Sequence, residues 1–198
     1  MPDHYYSKKP QSEFIAETHQ HIIRNRTYTF TSSTGVFSKH RIDFGTKLLI
    51  ESFIEPEVEG DLLDLGCGYG PIGIVLANQF ERHVWMVDVN ERAVMLAEQN
   101  AQLNNVKVTV RESDGFTNVG DRKFAAIITN PPIRAGKKII YQMFEQSIHH
   151  LVENGELWVV VQKKQGAPSM MQFLDSIFQQ VDVITRKKGY YIIRATKK

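Results

Sequence analysis

The segment Leu62-Leu-Asp-Leu-Gly-Cys-Gly-Tyr-Gly-Pro-Ile-Gly73 constrains the fold more than any other part of the chain. An apolar run ends in a turn containing three glycines, and Pro71 then stands where the first turn of a helix accepts proline, so the segment reads as strand, tight turn, helix. Glycines lack Cβ. They let such a turn adopt positive φ and let a ligand lie against the main chain, while free N–H groups at the helix start can hold a carboxylate. A glycine loop of this kind can also do nothing but turn the chain, so its surroundings must decide.

Those surroundings alternate between strand and helix patterns. The series is a strand over Asp61–Leu65, helix Pro71–Gln79, strand His83–Asp88, helix Glu91–Asn104, strands Lys107–Arg111 and Phe124–Thr129, helix Lys138–Val152 and strand Glu156–Gln162. Ile127-Ile128 and Trp158-Val-Val-Val161 are apolar on both side-chain parities, as strands buried on both faces require, and the order predicts a mostly parallel sheet with helices on both faces. Beyond them, Ser169–Phe178 reads as a helix started by Ser169. Val181–Thr185 and Tyr190–Ala195 read as an antiparallel hairpin about Lys187-Lys188-Gly189. At 198 residues and 42% hydrophobic, the chain has material for one sizeable core. The first 34 residues read as an appendage to that unit: a helix from Ser12 to Ile23, then a strand Thr27-Tyr-Thr-Phe-Thr31 turning at Ser32 to Gly35.

Two ligand classes compete for the glycine turn. Gly68-x-Gly70-x-x-Gly73 matches the dinucleotide pattern, and Asp88 follows Gly68 by 20 residues, a spacing that suits a ribose-binding acid. Against a nicotinamide cofactor, Gly66 and not Gly68 directly follows the strand, and Asp64 at the strand tip would repel a pyrophosphate. An acid there suits a cationic ligand, and S-adenosylmethionine brings both an ammonium and a sulfonium. Asp88 closes Val84-Trp-Met-Val-Asp88 at the carboxyl edge of the sheet, where two ribose hydroxyls could donate to it. Asn90 can cap the following helix in its place. Asp114 in Ser113-Asp114-Gly115-Phe116 is a candidate acceptor for an adenine amino group, with Val89 and Phe116 as candidate apolar faces for the ring; taken alone, Asp-Gly is more often a plain turn.

Asp64-Leu-Gly-Cys-Gly-Tyr-Gly70, Asp88, Asp114 and Asn130-Pro-Pro-Ile133, in that order, resemble class I S-adenosylmethionine-dependent methyltransferases, and within them the small-domain ribosomal RNA guanine-N2 methyltransferases. Gly35-Val-Phe-Ser38 and Asp43-x-Gly45-Thr46 before Leu48-Leu-Ile50 resemble the segment that enters that domain. The resemblance covers residues 35–198 and implies a Rossmann-like α/β fold with a seven-stranded sheet in the order 3-2-1-4-5-7-6. It also implies cofactor contacts at Asp64, Gly66, Gly68, Asp88, Val89, Asp114, Gly115 and Asn130, and catalysis at Asn130, Pro131 and Pro132. The chemistry gives a reason. A base amino group is a poor nucleophile because its lone pair is delocalised into the ring. The Asn130 side-chain oxygen and the Pro131 carbonyl can accept its two N–H donors and turn the lone pair toward the methyl group, and Pro132 helps to stiffen the loop. Ile133 departs from the family pattern, which often carries an aromatic residue there to stack on the base; Phe37 is another candidate for that contact.

Net charge is +2, too mild to identify a partner by itself. Its distribution says more: basic residues gather at Lys8-Lys9, Arg24 with Arg26, Lys39-His40-Arg41, Arg134 with Lys137-Lys138, Lys163-Lys164, Arg186-Lys187-Lys188 and Lys197-Lys198. Those directly after Asn-Pro-Pro would meet a phosphate backbone entering the catalytic mouth, which suits RNA with its target base unpaired or flipped out. The single cysteine, Cys67, excludes an internal disulfide and a cysteine-built zinc site, and no metal is expected. Met1 to Pro10 lacks the apolar run of a signal peptide, and no stretch approaches membrane-spanning length, so a soluble, unprocessed, cytoplasmic protein is expected. Three alternatives to RNA methylation stay open: methylation of a protein glutamine amide, a noncatalytic RNA-binding module and a nicotinamide enzyme.

Overall fold

The computed structural model describes residues 8, 12–38 and 41–198. Lys9, Lys39, His40 and most of the Met1–Pro10 segment therefore lie outside the described residues. A hairpin of β1 (Ala16–Ile23) and β2 (Arg26–Ser33) leads to α1 (Phe44–Ser52). Then follow β3 (Leu62–Leu65), α2 (Pro71–Gln79), β4 (Val84–Asp88), α3 (Glu91–Leu103), β5 (Thr109–Glu112) and β6 (Phe124–Thr129). The chain closes with α4 (Lys137–His149), β7 (Leu151–Gln162), α5 (Ala167–Ile177), β8 (Gln180–Lys187) and β9 (Tyr190–Thr196).

Strands β3 to β9 form one sheet in the order β5-β4-β3-β6-β7-β9-β8. Numbered from its own first strand, that sheet reads 3-2-1-4-5-7-6, with β9 antiparallel to both of its neighbours and the other pairings parallel. The double-parity apolar runs explain why both faces are covered. Leu62, Ile128, Trp158 and Ile192 point into one core with α1, α2 and α3. Leu63, Ile127, Leu157 and Ile193, one residue along each strand, point into a second core with Ile140 and Phe144 of α4 and Met170 and Leu174 of α5. This places the carboxyl ends of β3, β4, β5, β6 and β7 along one rim, with the loops that follow them.

Several expectations fail locally. Residues 12–23 do not form a helix: Ala16–Ile23 pair with Arg26–Ser33 across Arg24-Asn25, whose φ values of 48° and 62° make the two-residue turn that suits strand twist. Phe14-Ile15 and Ile22-Ile23 are spaced as on a helix, but only Ile23 is buried. The outer edge of β2 is closed by α3. Asn100 and Asn104, one helical turn apart, each accept a backbone N–H and donate to a backbone carbonyl of Thr31 and Thr29 at 2.7–3.0 Å, as a neighbouring strand would. Helix α4 ends at His149, and Leu151 and Val152 belong to β7, where Leu151 pairs with Phe124. Helix α5 starts at Ala167, behind Gly166 in the left-handed region at φ 99°, so Ser169 lies inside it. Helix α1 was not among the sequence-derived elements. Asp43 caps it by accepting from the Thr46 amide.

Candidate active site

The loops on the strand rim enclose a cleft of about 1080 Å³. At its centre the chain leaves β3, turns through Gly66, Gly68 and Gly70, all at positive φ, and enters α2 at Pro71. The glycines divide by what surrounds them. A Cβ on Gly70 or Gly73 would strike Met86, at 2.6 and 2.5 Å, so these two let α2 close on β4. A Cβ on Gly66 or Gly68 would meet nothing within 4 Å, which leaves bare backbone facing the cleft.

Asp64 is fully buried beneath this turn. One oxygen accepts from the Gly73 amide at 2.8 Å, whereas Oδ1 has no partner among the described residues. Burial pushes its pKa up to about 7 against the lowering effect of the Gly73 hydrogen bond, and the negative charge of Asp88 adds to the rise. Asp88, at the end of β4, accepts from the Asn90 and Gly68 amides at 2.9 and 2.8 Å, and burial raises its pKa also. Asn90 caps α3 by accepting from Arg92 and Ala93, leaving the remaining lone pairs of Asp88 for other donors. A cation with a hydroxyl pair fits this wall. An orphaned acceptor sits under the turn, exposed glycine backbone lies beside it, and a second carboxylate stands one strand away, so the residues fit S-adenosylmethionine. Cys67 is buried, and its thiol pKa is raised well above normal by burial and by Asp64 and Asp88, which suits a packing role and not a nucleophile.

Val89, Asp114 and Gly115 line the same cleft beyond β4 and β5. Phe116 does not: it turns into the second core and stacks on His150, with ring centroids 4.4 Å apart. Asn130, Pro131 and Pro132 leave β6, the sheet neighbour of β3, beside the glycine turn, and Phe37, Ile133 and Arg134 also face the cleft. The structure thus brings Gly66, Gly68, Asp88, Val89, Asp114, Gly115, Asn130, Pro131 and Pro132 to one cleft, with Asp64 buried beneath the turn and Phe116 turned away. It adds one bond that the sequence did not suggest. Asn130 Nδ2 donates to Thr46 Oγ1 at 2.9 Å, and Thr46 is 4% exposed at the start of α1, so the Asn130 oxygen is turned away from that bond. The signal for α1 was Asp43-x-x-Thr46 ahead of an apolar run, a capping pattern whose link to Asn130 lies 84 residues away.

The rim after β6 and β7 carries positive charge. Arg134, Lys137, Lys138, Lys163 and Lys164 are exposed. Lys163 also donates its amide to Gly189 at 2.8 Å, joining its loop to the β8–β9 turn, where Lys188 lies 4.9 Å from the Phe44 ring. Among the described residues no group of three or more His, Cys, Asp or Glu could hold a metal ion, and no helix is long and apolar enough to cross a membrane.

Comparison with known proteins agrees with this geometry. The family model for the methyltransferase small domain matches residues 27–194. YbxB, an uncharacterized protein of Bacillus subtilis (strain 168), is 54% identical over 100% of both chains. Ribosomal RNA small subunit methyltransferase C of Pseudoalteromonas atlantica is 35% identical over 87% of this chain and 50% of its own. Among solved structures, the T. thermophilus 16S rRNA N2 methyltransferase RsmC, in complex with AdoMet and guanosine, superposes with a TM-score of 0.83 at 23% identity, over 96% of this chain and 52% of that one. The chain spans about half the length of the methyltransferase C relatives it matches. With a Rossmann-like sheet and an acid-and-glycine cleft for S-adenosylmethionine, the chain belongs to the methyltransferase small-domain family.

Proposed function

We propose that this protein methylates the exocyclic N2 amino group of guanine in ribosomal RNA. The observation that carries the reading is Asn130. Its amide NH₂ is engaged by Thr46, so its oxygen is left as an acceptor in the cleft, next to the Pro131 carbonyl and beside the glycine turn. Relatives named ribosomal RNA small subunit methyltransferase C and the basic rim supply the choice of RNA.

S-Adenosylmethionine supplies an electrophilic methyl group on a sulfonium that leaves as a neutral thioether. Asp64, from beneath the glycine turn, would favour its ammonium and Asp88 would accept from its ribose hydroxyls, while Asp114 would take the adenine amino group and Val89 one face of the ring. The backbone at Gly66, Gly68 and Gly115 lets the ligand approach closely. On the other side, Asn130 Oδ1 and Pro131 O accept the two amino N–H groups and aim the nitrogen lone pair at the methyl carbon. The prolines hold these acceptors in place before the base arrives, and such positioning is worth roughly 7–11 kcal/mol in favourable cases. The N–C bond forms as the C–S bond breaks, and the methylated nitrogen releases its extra proton to water. Phe37 and Ile133 flank the base, and Arg134, Lys137 and Lys138 take the phosphates around an extruded nucleotide.

Labelled transfer from S-adenosylmethionine to total RNA, followed by nucleoside analysis, tests this directly. N2-methylguanosine is the expected product, absent with Asn130→Ala. Label found in protein alone, or full activity in Asn130→Ala, overturns the assignment.

A further inference from the structure

The start of α1 meets Asn130 through Thr46 and packs on the end of β9. Gly45 sits so close to Tyr190 that a Cβ there would come within 2.6 Å of the ring, and the Phe44 and Tyr190 rings are 5.4 Å apart. Tyr190 opens β9, and its ladder partner Gln162 closes β7, two strands on the opposite side of β6 from β3, β4 and β5. Asp43 stands at this helix start and lines the cleft between Tyr190 and the glycine turn, where its charge is felt by Tyr69. Its Oδ1 caps α1 through the Thr46 amide at 3.1 Å, but Oδ2 is screened from solvent and has no hydrogen-bond partner among the described residues. Gln162 Oε1 is in the same condition, and both residues line the cleft that holds Asn130. Capping a helix uses one acceptor. The second carboxylate oxygen is left needing a donor that no described residue supplies.

We infer that Asp43 is a specificity-determining residue that accepts the ring N1–H of guanine while Asn130 and Pro131 hold the adjacent amino group, a role that rests on the proposed guanine-N2 reading. Base chemistry gives the reason. Beside the amino groups of adenine and cytosine, the neighbouring ring nitrogen is an acceptor; guanine alone places an N–H there. An ionised carboxylate only accepts, so it pairs with guanine and opposes the other two. A site built to hydrogen-bond one donor rejects analogues that lack it far more strongly than an apolar pocket does.

Asp43→Asn separates the cap from the reader. Asparagine caps as well as aspartate through its oxygen, yet puts an NH₂ donor where Oδ2 stood. The measurements are kcat/KM for transfer to RNA, the Kd of S-adenosylmethionine, the thermal midpoint, and inhibition by guanosine against 1-methylguanosine, which lacks the N1–H. The expected result is an unchanged midpoint and cofactor Kd, kcat/KM lower by about ten- to a hundredfold, and loss of the native preference for guanosine over 1-methylguanosine. Asp43→Ser, which also caps but with a single oxygen, carries the same expectation if Asp43→Asn fails to fold. Unchanged kcat/KM and preference in a variant that folds would overturn the inference and leave guanine methylation standing. A weaker cofactor Kd with the preference intact would assign Asp43 to the cofactor instead, again overturning it. Failure of the unmodified protein to methylate guanine removes both this role and the function on which it rests.

Discussion

Replacing Thr46 with valine isolates the contribution of a single oxygen atom. Thr46 Oγ1 accepts from Asn130 Nδ2 at 2.9 Å, in a position 4% exposed, so valine keeps the branch and volume while leaving an amide hydrogen inside the site without a partner. The α1 cap survives, because it uses the backbone amide of residue 46. An unpaired buried donor costs about 1–3 kcal/mol, and Asn130 can escape that cost only by rotating its amide, which turns Oδ1 off the nitrogen it must hold. If the whole of that energy separates the productive orientation from the rotated one, methyl transfer slows by about five- to 150-fold. The assay is single-turnover transfer of labelled methyl under saturating cofactor, with cofactor Kd measured separately. Thr46→Val should slow the chemical step and leave the Kd within about twofold, and Thr46→Ser should restore the rate by restoring the acceptor. A Thr46→Val enzyme that turns over at the native rate would refute the claim that this bond orients Asn130. A Thr46→Ser enzyme as slow as Thr46→Val would refute it as well, by making the defect one of packing.

Further outcomes follow from the rest of the site. Because burial raises the Asp64 pKa to about 7 from an ordinary carboxylate value, the unliganded fold binds a proton that the unfolded chain releases near pH 4. Its stability therefore falls as pH rises from about 4 to 7, by up to about 1.4 kcal/mol per unit, and levels off above; Asp64→Asn should flatten that slope in denaturant titrations. Cationic cofactor favours the ionised form, so binding should tighten as pH rises toward 7 with release of a proton, seen by calorimetry in buffers of different ionisation enthalpy, and that release should vanish in Asp64→Asn. Gly73→Ala, whose Cβ would come 2.5 Å from Met86, should cost about 1–3 kcal/mol of stability. Gly68→Ala meets no atom but sits at φ 57°, so it should cost about 1–2 kcal/mol in backbone strain and weaken cofactor binding besides; a Gly73→Ala protein as stable as the parent would contradict the packing role. Removing Lys137 and Lys138 together should weaken RNA binding across sequences and lower the salt slope by about one unit for each phosphate no longer neutralised, with the modified nucleoside unchanged.

The sheet was legible because burial on two faces leaves a mark in one dimension: Ile127-Ile128 and Trp158 to Val161 carry apolar side chains on both parities, and they are central strands. The glycine turn was legible as a ligand loop but ambiguous in register, and the geometry now separates two glycines that pack from two that face the cleft. What escaped depends on partners distant in sequence. Residues 16–23 lack a strand's clean alternation because β1 has one ladder partner and its outer side chains meet solvent, so the helix-like spacing of four apolar residues outweighed it. Leu151 looked like the last apolar position of α4, and only its pairing with Phe124 moves it into β7. The catalytic wall shows the same division. Asn130-Pro131-Pro132 can be read as a unit because its residues are adjacent, but the orientation of the asparagine amide is decided by Thr46, and Thr46 is placed by the Asp43 cap. On the proposed reading this tripeptide points to amino-group chemistry without saying which amino group. The choice of base, on that reading, lies instead with α1, the segment that enters the domain and brings to the cleft a carboxylate with an oxygen to spare.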